Sequence, residues 1–154
     1  MARKKLQPID NDMILSLADK TFVLLPLLRK RLLQLDEVQA EHDMPLSHLQ
    51  ILHMLYNEGT MPISEISQRL GIAKPNVTPV VDAMIAEGYL ERSRVEEDRR
   101  KVNITILSAG KEKMEAVNKT LVEILKENLG KIRRKDFQDL DKSLSIVLEI
   151  VDKL

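Results

Sequence analysis

The chain has 154 residues, no cysteine, and 24 basic side chains balanced by 24 acidic ones. This length suits one domain with a buried core. The lack of cysteine excludes disulfides, thiolate nucleophiles and thiol-based redox sensing. Because the net charge is zero, any binding to nucleic acid must depend on where the basic residues lie and not on their total.

The apolar segments are too short for a membrane span. The N-terminal residues are basic, but no apolar segment of signal-peptide type follows them. The most apolar stretch, Phe22 to Leu28, has seven residues, whereas a spanning helix needs about 20. We therefore expect a cytoplasmic protein that makes no use of the membrane.

The first third of the chain, residues 10–42, has the apolar spacing of one long helix. Its apolar residues recur at steps of three and four, which is the helical period. They are Leu15, Ala18, Phe22, Leu25, Leu28, Leu32 and Leu35. We predict a single long helix here.

The middle of the chain predicts three short helices. Ser47 followed by Gln50 has the capping-box pattern and predicts the start of the first, which runs through Tyr56. Ser64 is the predicted cap of the second, which a glycine ends. The third runs from about residue 74 to 87, and residues 62–87 together have the order of a helix-turn-helix.

After Gly88 the pattern changes to that of two strands. Residues 89–94 and 101–107 are two strand-like runs with a charged connector between them, and the second run alternates apolar and polar side chains. Three helices followed by a two-stranded hairpin is the winged-helix order. We predict a mainly α fold with a two-stranded β-wing, in which residues 46–107 form the DNA-binding region.

Residues 108–154 are helical again and strongly amphipathic. Ser108 is the predicted cap of one helix, and a basic link separates it from a last helix. That last helix has an apolar stripe of Phe137, Leu140, Leu144, Val147, Leu148 and Val151. We expect residues 10–42 and 108–154 to form the dimerisation region of a single 154-residue domain, because apolar stripes at both chain ends are covered most simply by a two-fold dimer.

The third predicted helix carries the candidate base-reading residues. Lysine can reach phosphate or guanine, asparagine can pair with adenine, and threonine and proline can meet a thymine methyl group. The candidates are Lys74, Asn76, Thr78 and Pro79. The alternative is that these are ordinary solvent-exposed residues of a trihelical unit that contacts other proteins.

The predicted hairpin carries the second group of candidates. Arginine at a wing tip can enter a narrow minor groove, and the candidates for DNA contact are Arg94, Arg99, Arg100 and Lys101. Asp98 and Arg92 are expected to support the wing. The alternative is a solvated hairpin stabilised by ion pairs between its strands.

The order and spacing of these motifs resemble the MarR family of winged helix-turn-helix regulators. The resemblance lies in residues 72–84, in Glu-Gly-Tyr-Leu-Glu-Arg at 87–92, and in Asp-Arg-Arg-Lys-Val at 98–102. It implies a homodimeric DNA-binding transcription regulator without enzymatic activity or cofactor. The implied action is that of a repressor on a pseudo-palindromic operator, released by a small-molecule effector. Arg100 matches the wing-tip arginine of the family and Asp98 its wing aspartate.

The sequence departs from the family pattern at two positions. Ala73 replaces a common helix-capping serine, and Pro79 replaces a common basic residue. The resemblance also implies a pocket for a small aromatic or phenolic effector, for which Phe22, His53 and Tyr56 are candidates. Packing in the core or at its rim is the simpler role for these three.

Other functional classes have less support. No glycine-rich phosphate loop or plausible carboxylate pair indicates an enzyme. His42 lies between two acidic residues, but the C-terminal helices supply no histidine or cysteine, so we predict no metal site. His48 and His53 are expected to be exposed or to line a cleft. The alternative function is a helical dimeric protein-interaction module without DNA binding.

Overall fold

A computed structural model describes the protein over residues 9–95 and 98–153, and the side chains of residues 94–101 lie outside that description. In chain order the elements are α1 (Asn11–Leu27), a π-helical turn (Leu28–Leu32), α2 (Leu35–His42), α3 (Leu46–Glu58), β1 (Met61–Pro62), α4 (Ile63–Leu70), α5 (Lys74–Ala86), β2 (Leu90–Val95), β3 (Asp98–Ile106), α6 (Ser108–Leu129) and α7 (Arg134–Val151). The predicted mainly α fold with a small β-wing is confirmed.

The chain divides into two compact units. The core unit is Leu35–Glu123, and the terminal unit consists of Met1–Gln34 and Ile124–Leu154. Among the described residues, the buried apolar side chains all belong to the core unit. Within the terminal unit, neither α1 nor α7 contains a buried residue.

Helical periodicity explains the packing of the core unit. Ile51, Leu52 and Leu55 of α3 are fully buried, as are Val77, Val81 and Met84 of α5. The α5 residues recur at steps of four and three and therefore share one side of the helix. Burial of each such side chain stabilises the fold by about 1.5–3 kcal/mol, so this apolar stripe fixes which side of α5 faces outward.

The wing sheet has three antiparallel strands in the order β1-β3-β2. Leu90 of β2 pairs with Ile106 of β3, and Val95 pairs with Asp98 across the hairpin tip. The prediction of two strands omitted β1, in which Met61 pairs with Ile104. A strand of two residues is too short to show alternation, so periodicity could not indicate it.

The prediction of one helix over residues 10–42 was wrong. The helical run ends in the π-helical turn, where the Leu33 amide donates to the Leu28 carbonyl at 3.0 Å. Gln34 then adopts a left-handed conformation with φ of +46°, and α2 begins at the next residue. The apolar spacing continues across this break, and the break contains no glycine or proline to mark it.

Two predicted helix caps were also wrong. Helix α3 begins at Leu46, before Ser47, and its N-cap position is Pro45. The Leu46 amide donates instead to Oε1 of Gln39 in α2, at 2.8 Å. Ser64 lies inside α4, whose N-cap position is Pro62 without a side-chain cap. The first amide of α3 is thus satisfied by a neighbouring helix.

The turn between α4 and α5 is fixed by two hydrogen bonds and one glycine. The Ser67 hydroxyl donates to the Ile72 carbonyl at 2.6 Å, and the Ile72 amide donates to the Ser67 carbonyl at 3.1 Å. Gly71 ends α4 with φ of +64°, a conformation that favours glycine. These contacts set the direction in which α5 leaves the turn.

Gly110, in the first turn of α6, allows that helix to approach the base of the wing. A Cβ atom at this position would lie 2.5 Å from the Tyr89 carbonyl oxygen and 2.8 Å from Cγ1 of Ile106. Both distances are shorter than van der Waals contact. The close approach of α6 to the start of β2 and the end of β3 therefore requires glycine here.

Removal of the Ser67 hydroxyl tests the turn. We expect Ser67→Ala to lower the free energy of unfolding by about 1 kcal/mol, because a half-buried hydrogen bond is lost. Ser64→Ala is the matched control. It should be close to neutral, since Ser64 is exposed and makes no cap. Urea denaturation of both variants measures the difference, and equal losses would contradict this account of the turn.

Addition of one methyl group tests the close approach at Gly110. We expect Gly110→Ala to destabilise the protein by about 1–3 kcal/mol, because the methyl group overpacks a filled site. Lys111→Ala, at the adjoining exposed position, should have little effect. Thermal unfolding followed by circular dichroism provides the measurement. A fully stable Gly110→Ala protein would show that α6 and the wing base do not pack this closely.

Candidate nucleic-acid interface

The outer side of α5 is the most exposed regular surface of the predicted helix-turn-helix. Its buried stripe faces inward, so the remaining positions face solvent. Exposed residues of α5 are Lys74, Pro75, Asn76, Pro79, Asp82, Ala83 and Ala86, and Thr78 is half-buried. The structure thus brings all four candidate base-reading residues together on the first turns of one helix.

The start of α5 lacks a side-chain cap, as the alanine at position 73 implies. Ala73 is the N-cap residue, and its carbonyl accepts from the Asn76 amide at 2.8 Å and from the Val77 amide at 3.3 Å. Pro75 has no amide hydrogen, and its fixed φ suits the first turn of a helix. Lys74 adds the positive charge at this end of the helix, where the helix dipole also attracts anions.

Thr78 and Pro79 limit the hydrogen bonds that α5 can offer outward. The Thr78 hydroxyl donates to the Lys74 carbonyl at 2.9 Å, so its oxygen is left to accept. Pro79 lies inside the helix and supplies no amide hydrogen to the Pro75 carbonyl. Within the described part of the chain, the side-chain amide of Asn76 makes no hydrogen bond, so it is available to a ligand.

An ion pair joins α5 to the wing. Nη2 of Arg92 in β2 lies 2.7 Å from Oδ1 of Asp82 in α5, and both side chains are about half exposed. An exposed pair of this kind contributes at most about 1 kcal/mol to stability. Its effect on the surface is larger, because the guanidinium neutralises the carboxylate that faces outward from α5. Sequence analysis gave Arg92 a supporting role but did not identify Asp82 as its partner.

The remaining wing candidates cannot be placed at side-chain level. The backbone of Arg94 lies in β2, and Asp98, Arg99, Arg100 and Lys101 lie in the first half of β3. Their side chains are outside the described part of the structure. Their roles in DNA contact and wing support therefore stay predictions.

The three candidate effector residues belong to different units. His53 and Tyr56 are on α3 of the core unit, and Phe22 is on α1 of the terminal unit. His53 is exposed and contacts the Asn57 side chain at 3.2 Å. The Tyr56 hydroxyl donates to Glu115 over 3.5 Å, a long contact. Phe22 is 79% exposed.

His42 takes part in a polar network of the core unit that sequence analysis missed. Its Nε2 lies 2.9 Å from the Thr120 hydroxyl, which also donates to Glu41 at 2.9 Å. The Lys113 ammonium donates to the His42 carbonyl at 2.7 Å. Thr120 and Lys113 belong to α6, more than 70 residues away from His42, so no local pattern could reveal them. In the ranges 9–95 and 98–153, no group of three histidine or acidic side chains is placed to hold a metal ion.

His48, also on α3, is half-buried, and its Nε2 is shielded from solvent without a hydrogen-bond partner among the described residues. It is therefore less exposed than His53.

None of the described helices has the length and hydropathy needed to cross a bilayer.

Comparison with known proteins finds similarity to one family. Residues 44–102 match the family model described as the MarR family. The HTH-type transcriptional regulator YfiV of Bacillus subtilis is 29% identical over 105 residues, which cover 68% of this chain and 66% of YfiV. YpoP, another HTH-type transcriptional regulator of Bacillus subtilis, is 29% identical over 131 residues, which cover 83% of this chain and 88% of YpoP.

The solved structures agree with these relatives. A MarR family protein from Bacillus stearothermophilus has the same fold, with a TM-score of 0.76 at 19% identity over 94% of this chain and 99% of that one. YfiV and YpoP are both described as transcription regulators. Residues 44–102 are thus similar to the MarR family, and the fold of the chain is that of MarR family structures.

Proposed function

We propose that the protein is a sequence-specific DNA-binding regulator of transcription that acts as a homodimer. The observation that carries this proposal is the outer side of α5, which presents Lys74, Asn76 and Thr78 at the start of a helix held by its buried stripe. In a helix-turn-helix the second helix enters the major groove with its first residues. Reduced AbfR, which has the same fold with a TM-score of 0.64, is solved bound to DNA.

The exposed apolar side chains of the terminal unit support the homodimer. Phe22 is 79% exposed and Leu148 71% exposed, and further large apolar side chains on α1 and α7 are more than 40% exposed. Apolar surface on this scale is characteristic of an interface. A second copy of the chain offers the same surface and can cover it by two-fold symmetry. Two recognition helices related in this way require a pseudo-palindromic operator with half-sites about one helical turn apart.

The proposed action is that of a repressor released by a small aromatic or phenolic effector. NadR, which shares the fold with a TM-score of 0.63, is solved in complex with 4-hydroxyphenylacetate. In this chain the candidate contacts within the core unit are His53 and Tyr56 of α3, whose imidazole and phenol groups suit such a ligand. DNA as the target implies a cytoplasmic protein.

A charge placed on α7 tests the dimer. We expect Leu148→Asp to convert the protein to monomers or to unfold it, because the carboxylate would be buried without a partner in the interface. Lys142→Asp is the matched control, since its position lies on the other side of α7 at 100° per residue. Sedimentation velocity measures both variants. A Leu148→Asp protein that stays dimeric and equally stable would exclude α7 as the interface.

Two alanine variants test DNA binding and its division between helix and wing. Asn76→Ala should weaken binding by about 1–3 kcal/mol at the specific site and by little on scrambled duplexes, because a base contact is lost.

Arg100→Ala should weaken binding to both duplexes and reduce the dependence of affinity on salt by about one unit of slope, because one phosphate contact is lost.

The measurement is a salt titration of each variant against an operator and its scrambled version, with the natural protein as reference. If the natural protein binds neither duplex at low salt, the chain acts as an interaction module instead. If Arg100→Ala leaves both affinity and salt slope unchanged, the wing tip does not touch DNA.

A further inference from the structure

One exposed side of α5 carries a narrow and mostly apolar strip. Asn76, Pro79 and Ala83 recur at steps of three and four and therefore share a side of the helix that does not include the buried Val77, Val81 and Met84. All three are exposed. The strip begins in the first turn of α5, the part of a recognition helix that contacts base edges.

The strip and its borders offer few hydrogen-bond donors. Thr78 already donates its hydroxyl hydrogen to the Lys74 carbonyl. Pro79 provides ring methylene groups and no amide hydrogen. Asn76 is the one member of the strip with a polar side chain, and its side-chain amide makes no hydrogen bond within the described residues. The strip therefore combines one amide with two apolar surfaces.

The charges around the strip are also few. Across residues 74–86, Lys74 is the only basic residue, and it occupies the first position of the helix. Asp82, the one acidic residue in that range, is paired with Arg92 at 2.7 Å. Guanine is read best by paired donors from arginine or lysine to its O6 and N7 atoms. Beyond its first residue, α5 has no side chain suited to that reading.

We propose that α5 recognises the 5-methyl groups of thymine through Pro79 and Ala83, next to an adenine read by Asn76. Apolar side chains meet the thymine methyl group in the major groove, and asparagine pairs with the N6 and N7 atoms of adenine. The centre of each half-site is therefore rich in A·T pairs, and methyl contacts supply part of its specificity. This inference rests on the proposed function, because it names the base class that the same helix reads.

The test separates the methyl group from base pairing. The full-length protein is used to enrich binding sites from a random duplex library, and deoxyuridine then replaces thymidine at each position of the enriched half-site. Uracil pairs as thymine does but lacks the 5-methyl group. We expect about a fourfold loss of affinity for each contacted methyl group, confined to neighbouring positions of the half-site, with no loss elsewhere.

A variant assigns the methyl contact to one side chain. Pro79→Gln restores the helical amide and removes the ring, so it should fold at least as well as the natural protein. At one position of the half-site, this variant should bind thymine and uracil duplexes with equal affinity. Ala86→Gln is the matched control, because Ala86 is exposed on the same side of α5 but at its last residue, about 10 Å along the helix axis from Pro79. It should keep the full uracil effect.

The possible outcomes distinguish this inference from the proposed function. Enrichment of half-sites centred on guanine, or equal affinity for thymine and uracil duplexes, would overturn thymine recognition while leaving DNA binding intact. Retention of every uracil effect in Pro79→Gln would overturn the role of Pro79. A library from which no duplex is enriched would overturn the proposed function itself, and this inference with it.

Discussion

The apolar stripe of α5 holds the helix by one side only, and the candidate function depends on that attachment. Val77, Val81 and Met84 are buried with α3 and the wing strands in one core, so a rotation of α5 about its axis would expose them. Each burial is worth about 1.5–3 kcal/mol, far more than the exposed Asp82–Arg92 pair can add. The packing of the core thus determines which residues of α5 face outward, and the ion pair changes only the net charge of that surface.

The terminal unit depends on a different constraint, because it has no buried residue in α1 or α7. A pair of helices with exposed apolar sides gains little stability alone. In the proposed dimer those sides supply a core that one chain lacks, so the folding of the terminal unit and the association of two copies become one equilibrium.

Periodicity in the sequence predicted the elements whose pattern is local. It failed where the limit of an element depends on a contact with a residue outside that element. The helix predicted over residues 74–87 and the two strands predicted after Gly88 both followed from such local patterns. Gln39, in contrast, caps α3 from the preceding helix, and no spacing rule describes such a bond. The left-handed Gln34 interrupts an apolar pattern that continues across it. On α5, sequence indicated candidate base-reading residues, but only the structure showed that Asp82 and Thr78 are already bonded.

The neutral chain and the apolar strip of α5 together imply that affinity and specificity come from separate elements. Phosphate contacts give most of the affinity of a DNA-binding protein, and their strength falls steeply with salt. Beyond Lys74, α5 supplies no such charge, so the proposed DNA binding requires it from the wing and other basic residues. Methyl contacts, by contrast, are apolar and nearly independent of salt. Discrimination between sequences should therefore persist at salt concentrations where overall affinity has declined, and the two contributions can vary independently through substitutions in different elements.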